Sequence, residues 1–124
     1  MDTLARDEQI TDPPSLPHNA PTPDILDLAA DHAQAHTGDT RTLVADSIGA
    51  ALGHTRPIDV DFYVIPCVID PDEPPHAAFA AVMAWLAVTS IQSVFVWSAL
   101  QTPGQVAAVL RDVAAHLHSR VVAA

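Results

Sequence analysis

The sequence predicts a small α/β (or α+β) domain, with an N-terminal helical hairpin followed by β-α-β-α around a small sheet. Three observations predict it. Helix start and stop signals bracket several stretches of 3.6-residue apolar period. Two short runs, 58–65 and 91–98, are β-branched and aromatic in the manner of strands. These runs alternate with helical segments, and a parallel crossover between them would be right-handed. If 91–98 is instead helical, the domain becomes a mainly α bundle.

Residues 1–22 read as an acidic, proline-rich arm or tail and 23–124 as a single globular domain. Pro13, Pro14, Pro17, Pro21 and Pro23 remove backbone donors and keep the residues before them out of helix. Leu4, Ile10 and Leu16 are the apolar points with which such an arm would dock on a neighbouring subunit. The first helix should open at Thr22-Pro23-Asp24, with Thr22 as cap, Pro23 in the first turn and Asp24 facing the positive end of the dipole. Ile25, Leu28, Ala29 and Ala33 or Ala35 supply its apolar face, and Gly38 is a natural stop. A second helix should run from Asp39 or Thr40 to Leu52, with Gly53 ending it.

Ile58 to Ile65 alternates and then turns wholly apolar, as a strand entering a core does. Pro66 breaks it or places it at a sheet edge. The loop 70–75 leads into a third helix, with Asp72 or Glu73 capping and Pro74-Pro75 in the first turn. Phe79, Val82, Met83 and Leu86 follow helical spacing. A polar turn is expected at Thr89-Ser90, then the run Ile91 to Trp97. The last helix has the clearest start: Thr102-Pro103-Gly104-Gln105 is a capping box with proline at the first helical position. Val106, Leu110, Val113, Leu117 and Val121 follow at helical spacing, and His116, His118 and Arg120 suit the negative end of the dipole. Two strands make a marginal sheet, so completion across a subunit interface, and hence a homo-oligomer, is expected.

The totals exclude several functions. The chain has 124 residues, 15 acids and 5 arginines, for a net charge of −10, and no lysine. Nucleic-acid binding needs clustered cations to replace phosphate counterions; Arg6, Arg41, Arg56, Arg111 and Arg120 are scattered. An anionic membrane surface is disfavoured for the same reason, and Schiff-base chemistry needs a lysine. The stretch Ala77 to Leu100 carries no charge. A bilayer span takes roughly 20 apolar residues, but Thr89, Ser90, Gln92 and Ser93 would sit at its costly centre. The expected reading is a segment folded inside protein with no membrane partner; a single-pass span over 77–100 is a third reading, which solubility without detergent tells apart. Cys67 alone can form no internal disulfide, and the N-terminus shows no basic-then-apolar signal, so the expected location is cytoplasmic.

Candidate chemistry is sparse. His32 and His36 lie four apart on the first helix and could hold a metal, zinc among them, with Asp31 or Asp39; a solvated helix face is the simpler reading. Cys67 at a strand end could be a nucleophile given a base, or a buried inert thiol. Ser47 lacks the glycine two before it that a nucleophile elbow uses. Asp59 and Asp61 share a strand face and could bind a cation or be solvated. Trp85 and Trp97 are expected in the core. Four glycines cannot assemble a phosphate-cradling loop. No catalytic residue and no cofactor is assigned.

Three pieces occur in order: Ile25-Leu26-Asp27-Leu28-Ala29-Ala30-Asp31-His32, Asp46-Ser47-Ile48-Gly49-Ala50-Ala51, and Val94-Phe95-Val96-Trp97 followed by Thr102 to Leu117. Together they resemble a family of small uncharacterised proteins from actinobacteria and their phages. That family shows a Leu-x-x-Ala-Ala helix, a Cys-x-x-Gly-Ala segment and a Trp-Asn-Asp motif before a closing Thr-x-x-x-Val-x-x-x-Leu helix. Here Asp46 falls where the family cysteine would, and Ser98-Ala99 replaces Asn-Asp. The resemblance carries over no functional residue. The expected function is that of a small, acidic, non-enzymatic accessory or assembly protein, phage- or mobile-element-related, whose partner is another protein or a second copy. The alternative is a metal-binding protein or small enzyme using His32 and His36 with nearby acids, or Cys67.

Overall fold

A computed structural model describes residue 16 and residues 20–53 and 72–123. The expected strand at 58–65, Cys67, Asp59, Asp61 and most of the N-terminal arm lie outside the described residues. Among the described residues five helices follow one another: α1 (Thr22–Gln34), α2 (Leu43–Ala51), α3 (Pro74–Leu86), α4 (Ile91–Ala99) and α5 (Pro103–Ala123). Among the described residues there is no strand and no sheet. The α/β expectation, with its β-α-β-α second half, is therefore corrected to an all-helical bundle. The decisive segment is 91–98, read as a strand and found as α4.

The physical reason is legible in the burial. Ile91, Val94, Phe95 and Ser98 are the buried residues of α4, spaced i, i+3, i+4, i+7, which is one face of a helix. The run Val94 to Trp97 looked like a strand only because β-branched and aromatic residues stand consecutively; burial selects just two of its four members. Ser90 starts the helix in extended backbone, and its Oγ accepts from the Ser93 N–H. That bond satisfies one of the donors a helix leaves free at its N-terminus.

The helix starts elsewhere follow local chemistry with shifts of a residue or two. α1 begins on Thr22 itself; the cap position falls to Pro21, and Thr22 makes no capping bond. α2 starts at Leu43, later than Asp39 or Thr40, and its end at Leu52-Gly53 is as the glycine requires: Gly53 has φ 90°, a left-handed conformation cheap only for glycine. Gly38 also has positive φ, 106°, but it lies in the loop beyond α1 and does not end it. α3 carries Pro74 and Pro75 in its first turn after Glu73, whose side chain makes no capping bond. It ends on Ala87 in the left-handed region, φ 57°, with Val88 N–H donating to Met83 O at 3.0 Å. This reproduces the glycine-type stop with alanine, a residue that strains to adopt it. At the head of α5 the capping box is complete. Gln105 N–H donates to Thr102 Oγ1 at 3.2 Å, and Thr102 N–H donates to Gln105 Oε1 at 2.8 Å.

α1 packs mainly on α5 and secondarily on α2; α3 and α4 close the remaining side. Two side-chain contacts fix the direction of the first pair. Asp31 meets Arg111 while Asp27, earlier on α1, meets His118, later on α5. The two helices are therefore antiparallel. Their buried faces are rich in alanine: Ala29, Ala30 and Ala33 on one, Ala107 and Ala114 on the other. Small side chains let helix axes approach closely. Ile25, Leu26, Leu110 and Val113 fill the rest of that seam at 2% exposure or less, each burial contributing about 1.5–3 kcal/mol.

The α3–α4 side is packed differently. Phe79, fully buried, meets Phe95 edge-on, with ring centroids 6.2 Å apart. The helices bend by 67° at the break 87–90, and among the described residues no single helix is long and apolar enough to cross a membrane. Trp85, expected in the core, is 44% exposed; its ring lies against His116, 5.5 Å between centroids. Trp97 is partly buried against the core. Leu16, one of the apolar points named for an arm or tail, sits against this chain's own core and donates its N–H to Ala51 O at 2.7 Å. That bond satisfies one of the free carbonyls at the end of α2.

A buried polar latch ties α4 to the α1–α2 loop. Thr40 Oγ1 lies 2.7 Å from Ser98 O and 3.0 Å from Gln101 O. A hydroxyl has one proton, so those two carbonyls at the end of α4 share it. Ser98 Oγ donates back to Thr40 O. Both side chains are buried, and the exchange leaves neither hydroxyl unpaired.

Candidate functional site

The sequence singled out His32 and His36, and the fold places them on the last turns of α1 and just beyond it. His36 Nε2 lies 2.8 Å from Asp39 O. A carbonyl only accepts, so that nitrogen carries the proton and donates; its lone pair is not available to a metal. His32 Nε2 is buried with no hydrogen-bond partner among the described residues. His36 is thus engaged with Asp39, while the Nε2 of His32 is not bonded among the described residues. Among the described residues no group of three or more His, Cys, Asp or Glu side chains could hold a metal ion.

The other candidates are distributed in the same way. Ser47 is buried in the middle of α2, and among the described residues its hydroxyl has no partner, so no base stands ready to take its proton. Asp46 accepts from Thr42 Oγ1 at 2.7 Å, four residues back on the first turn of α2. Asp72 and Glu73 are exposed at the head of α3. His116 and His118 face different neighbours, as two residues two apart on a helix must: His116 meets Trp85, while His118 reaches Asp27 and Asp24.

That last contact was not foreseen. His118 Nε2 lies 3.2 Å from Asp27 Oδ2 and 3.8 Å from Asp24 Oδ1, and Arg111 Nη2 lies 3.1 Å from Asp31 Oδ1. The sequence signal was the acidic spacing Asp24, Asp27, Asp31 along one side of α1. What it lacked was the antiparallel register that brings Arg111 and His118 of α5 opposite those acids. All these side chains are substantially exposed, so each pair adds little stability. The ladder marks one edge of the α1/α5 seam.

The opposite kind of surface lies on α4. Its outward face carries Gln92, Val96, Ala99 and Leu100, at i, i+4, i+7 and i+8. Val96 is 64% and Leu100 78% exposed. Every one of the 15 acids and 5 arginines lies outside residues 74–110, so nothing charged on this helix or its two flanking turns competes for solvent. Two large aliphatic side chains one turn apart with alanine beside them form an apolar stripe, not scattered single residues. The sequence held this signal in the uncharged stretch, but the strand assignment at 91–98 hid which residues would face outward.

No protein-family model, no curated protein and no solved structure matches this chain.

Proposed function

We propose that this protein is a small, acidic, non-enzymatic accessory or assembly protein that works by protein–protein contact through the outward face of α4. The observation that carries this reading is the exposure of Val96 and Leu100 on one uncharged helix face. Exposed contiguous apolar surface costs solvation unless another protein covers it, and such surface marks interaction sites. The alternative, metal binding or catalysis at His32 and His36, draws on a buried His32 Nε2 but finds the Nε2 of His36 already donating to Asp39 O.

The test is a photo-crosslinking residue placed at Leu100 in the full chain, irradiated in the cells that make it. A discrete adduct with one protein, whether a second copy or another chain, is the expected result. Irradiation that yields no protein adduct defeats the reading. Stoichiometric zinc in the purified protein would favour the alternative.

A further inference from the structure

We propose that the buried latch between Thr40 and Ser98 is a conformational device. It makes the α1–α2 loop and the last turn of α4 open and close as one unit, and so sets whether Leu100 is held in place for a partner. The second half of this inference rests on the reading of α4 as the interaction face; the first half stands without it.

The bonds run both ways across the junction. Thr40 Oγ1 shares its one proton between Ser98 O and Gln101 O, and Ser98 Oγ donates to Thr40 O. Two of these carbonyls also serve helix ends. Thr40 O accepts the Leu43 N–H at 3.1 Å, at the head of α2, and Ser98 O accepts the Gln101 N–H at 3.0 Å, at the end of α4. Thr40 is 7% and Ser98 0% exposed, so water does not replace a bond that breaks while the junction stays shut. Releasing either hydroxyl strands buried polar groups on the other side, each with its full desolvation penalty. Two segments 58 residues apart therefore part together.

The placement gives the device an output. Ser98 and Gln101, whose carbonyls Thr40 holds, bracket Ala99 and Leu100. One hydroxyl thus pins the turn that carries the outward Leu100. The loop on the other side is braced beside Thr40. His36 Nε2 donates to Asp39 O at 2.8 Å, and the Arg41 N–H donates to Asp39 Oδ1 at 3.0 Å. Asp39 is exposed and Thr40 buried, so adjacent residues of this loop reach solvent and the end of α4. A displacement of the loop at Asp39 loosens the turn that carries Leu100.

Amide hydrogen exchange on the full chain, read residue by residue, tests the coupling, because protection measures the free energy of local opening. Thr40→Val keeps the side-chain shape and removes the hydroxyl; it should speed exchange at Leu100 and Gln101 by about tenfold or more. Ser98→Ala, on α4, should speed exchange at Leu43 across the junction by about the same factor. Thr40→Ser restores the donor and should return Leu100 and Gln101 close to their original rates. Leu110, in the middle of α5, reports opening of the whole bundle and should change by a smaller factor in every variant. Equal acceleration at Leu110 and Gln101 overturns the coupling, as does a change confined to the mutated side. The crosslink from position 100, normalised to the amount of chain, tests the output. Thr40→Val should lower its yield several-fold and Thr40→Ser should restore it; an adduct unchanged in Thr40→Val overturns the output. If the chain with native Thr40 gives no adduct, the interaction face falls and the output with it, while exchange still decides the coupling.

Discussion

The bundle has two sides built on different rules. The α1/α5 pair is charged at its edge and alanine-rich on its buried faces. The α3/α4 pair is uncharged throughout, aromatic in its core and bent by 67°. On the first side small residues line the buried faces, and exposed polar pairs sit at the edge of the contact. On the second side two large rings fill the space, and the helix that supplies one of them turns an aliphatic stripe to solvent. The difference teaches where function can sit. A seam that satisfies itself leaves little for a partner, whereas a helix with one buried and one apolar outer face is packed on only one side.

Four substitutions sharpen or break this contrast. The largest effect is expected from Phe79→Ala, which empties the aromatic contact between α3 and α4. A fully buried phenylalanine lost to alanine costs about 3–5 kcal/mol, read as a drop in the urea midpoint. If the midpoint hardly moves, the α3/α4 side is not held by its rings. Next comes Ala30→Leu in the opposite seam. Forcing bulk into a packed helix contact costs about 1–3 kcal/mol; a neutral result by the same denaturation would show that α1 and α5 do not approach closely there.

Ala87→Gly acts in the other direction. It relieves the left-handed alanine at the end of α3, where glycine carries no steric penalty. A gain of about 0.5–1 kcal/mol is expected, seen as a raised Tm; a fall in Tm would mean that the bend is not strained. The smallest effect belongs to Asp31→Asn, which removes the pair with Arg111. Exposed pairs contribute roughly 0–1 kcal/mol, so thermal unfolding should be nearly unchanged and the small difference should vanish in high salt. A loss of several degrees would make the charged edge a determinant of the seam and not an ornament on it.

Much of this architecture was written locally. Thr102 and Gln105, Pro23, Pro74 and Pro75, and Gly53 mark helix ends because capping and backbone freedom are properties of a few adjacent residues. The α5 capping box forms as its spacing demands. Ser90 carried the same information for α4, with Ser93 three residues on, but the consecutive Val94, Phe95, Val96 and Trp97 outweighed it. That weighing failed because β-branched character is a weak backbone preference, whereas the positions buried in α4 are set by what packs on it. Of the candidate site, His32 and His36 were visible as a helical pair, but the bond from His36 to Asp39 O depends on how the chain turns after α1.

The sequence by itself determined that the chain would be acidic, short of cations, rich in helix starts and stops, and uncharged over the stretch that became α3 and α4. Only the tertiary structure decided that 91–98 coils instead of extending. It also set Asp27 opposite His118, turned Trp85 outward, and left Val96 and Leu100 uncovered. Composition and caps are sums over neighbours in sequence. Register and exposure are set by residues tens of positions apart, which meet only once the helices pack.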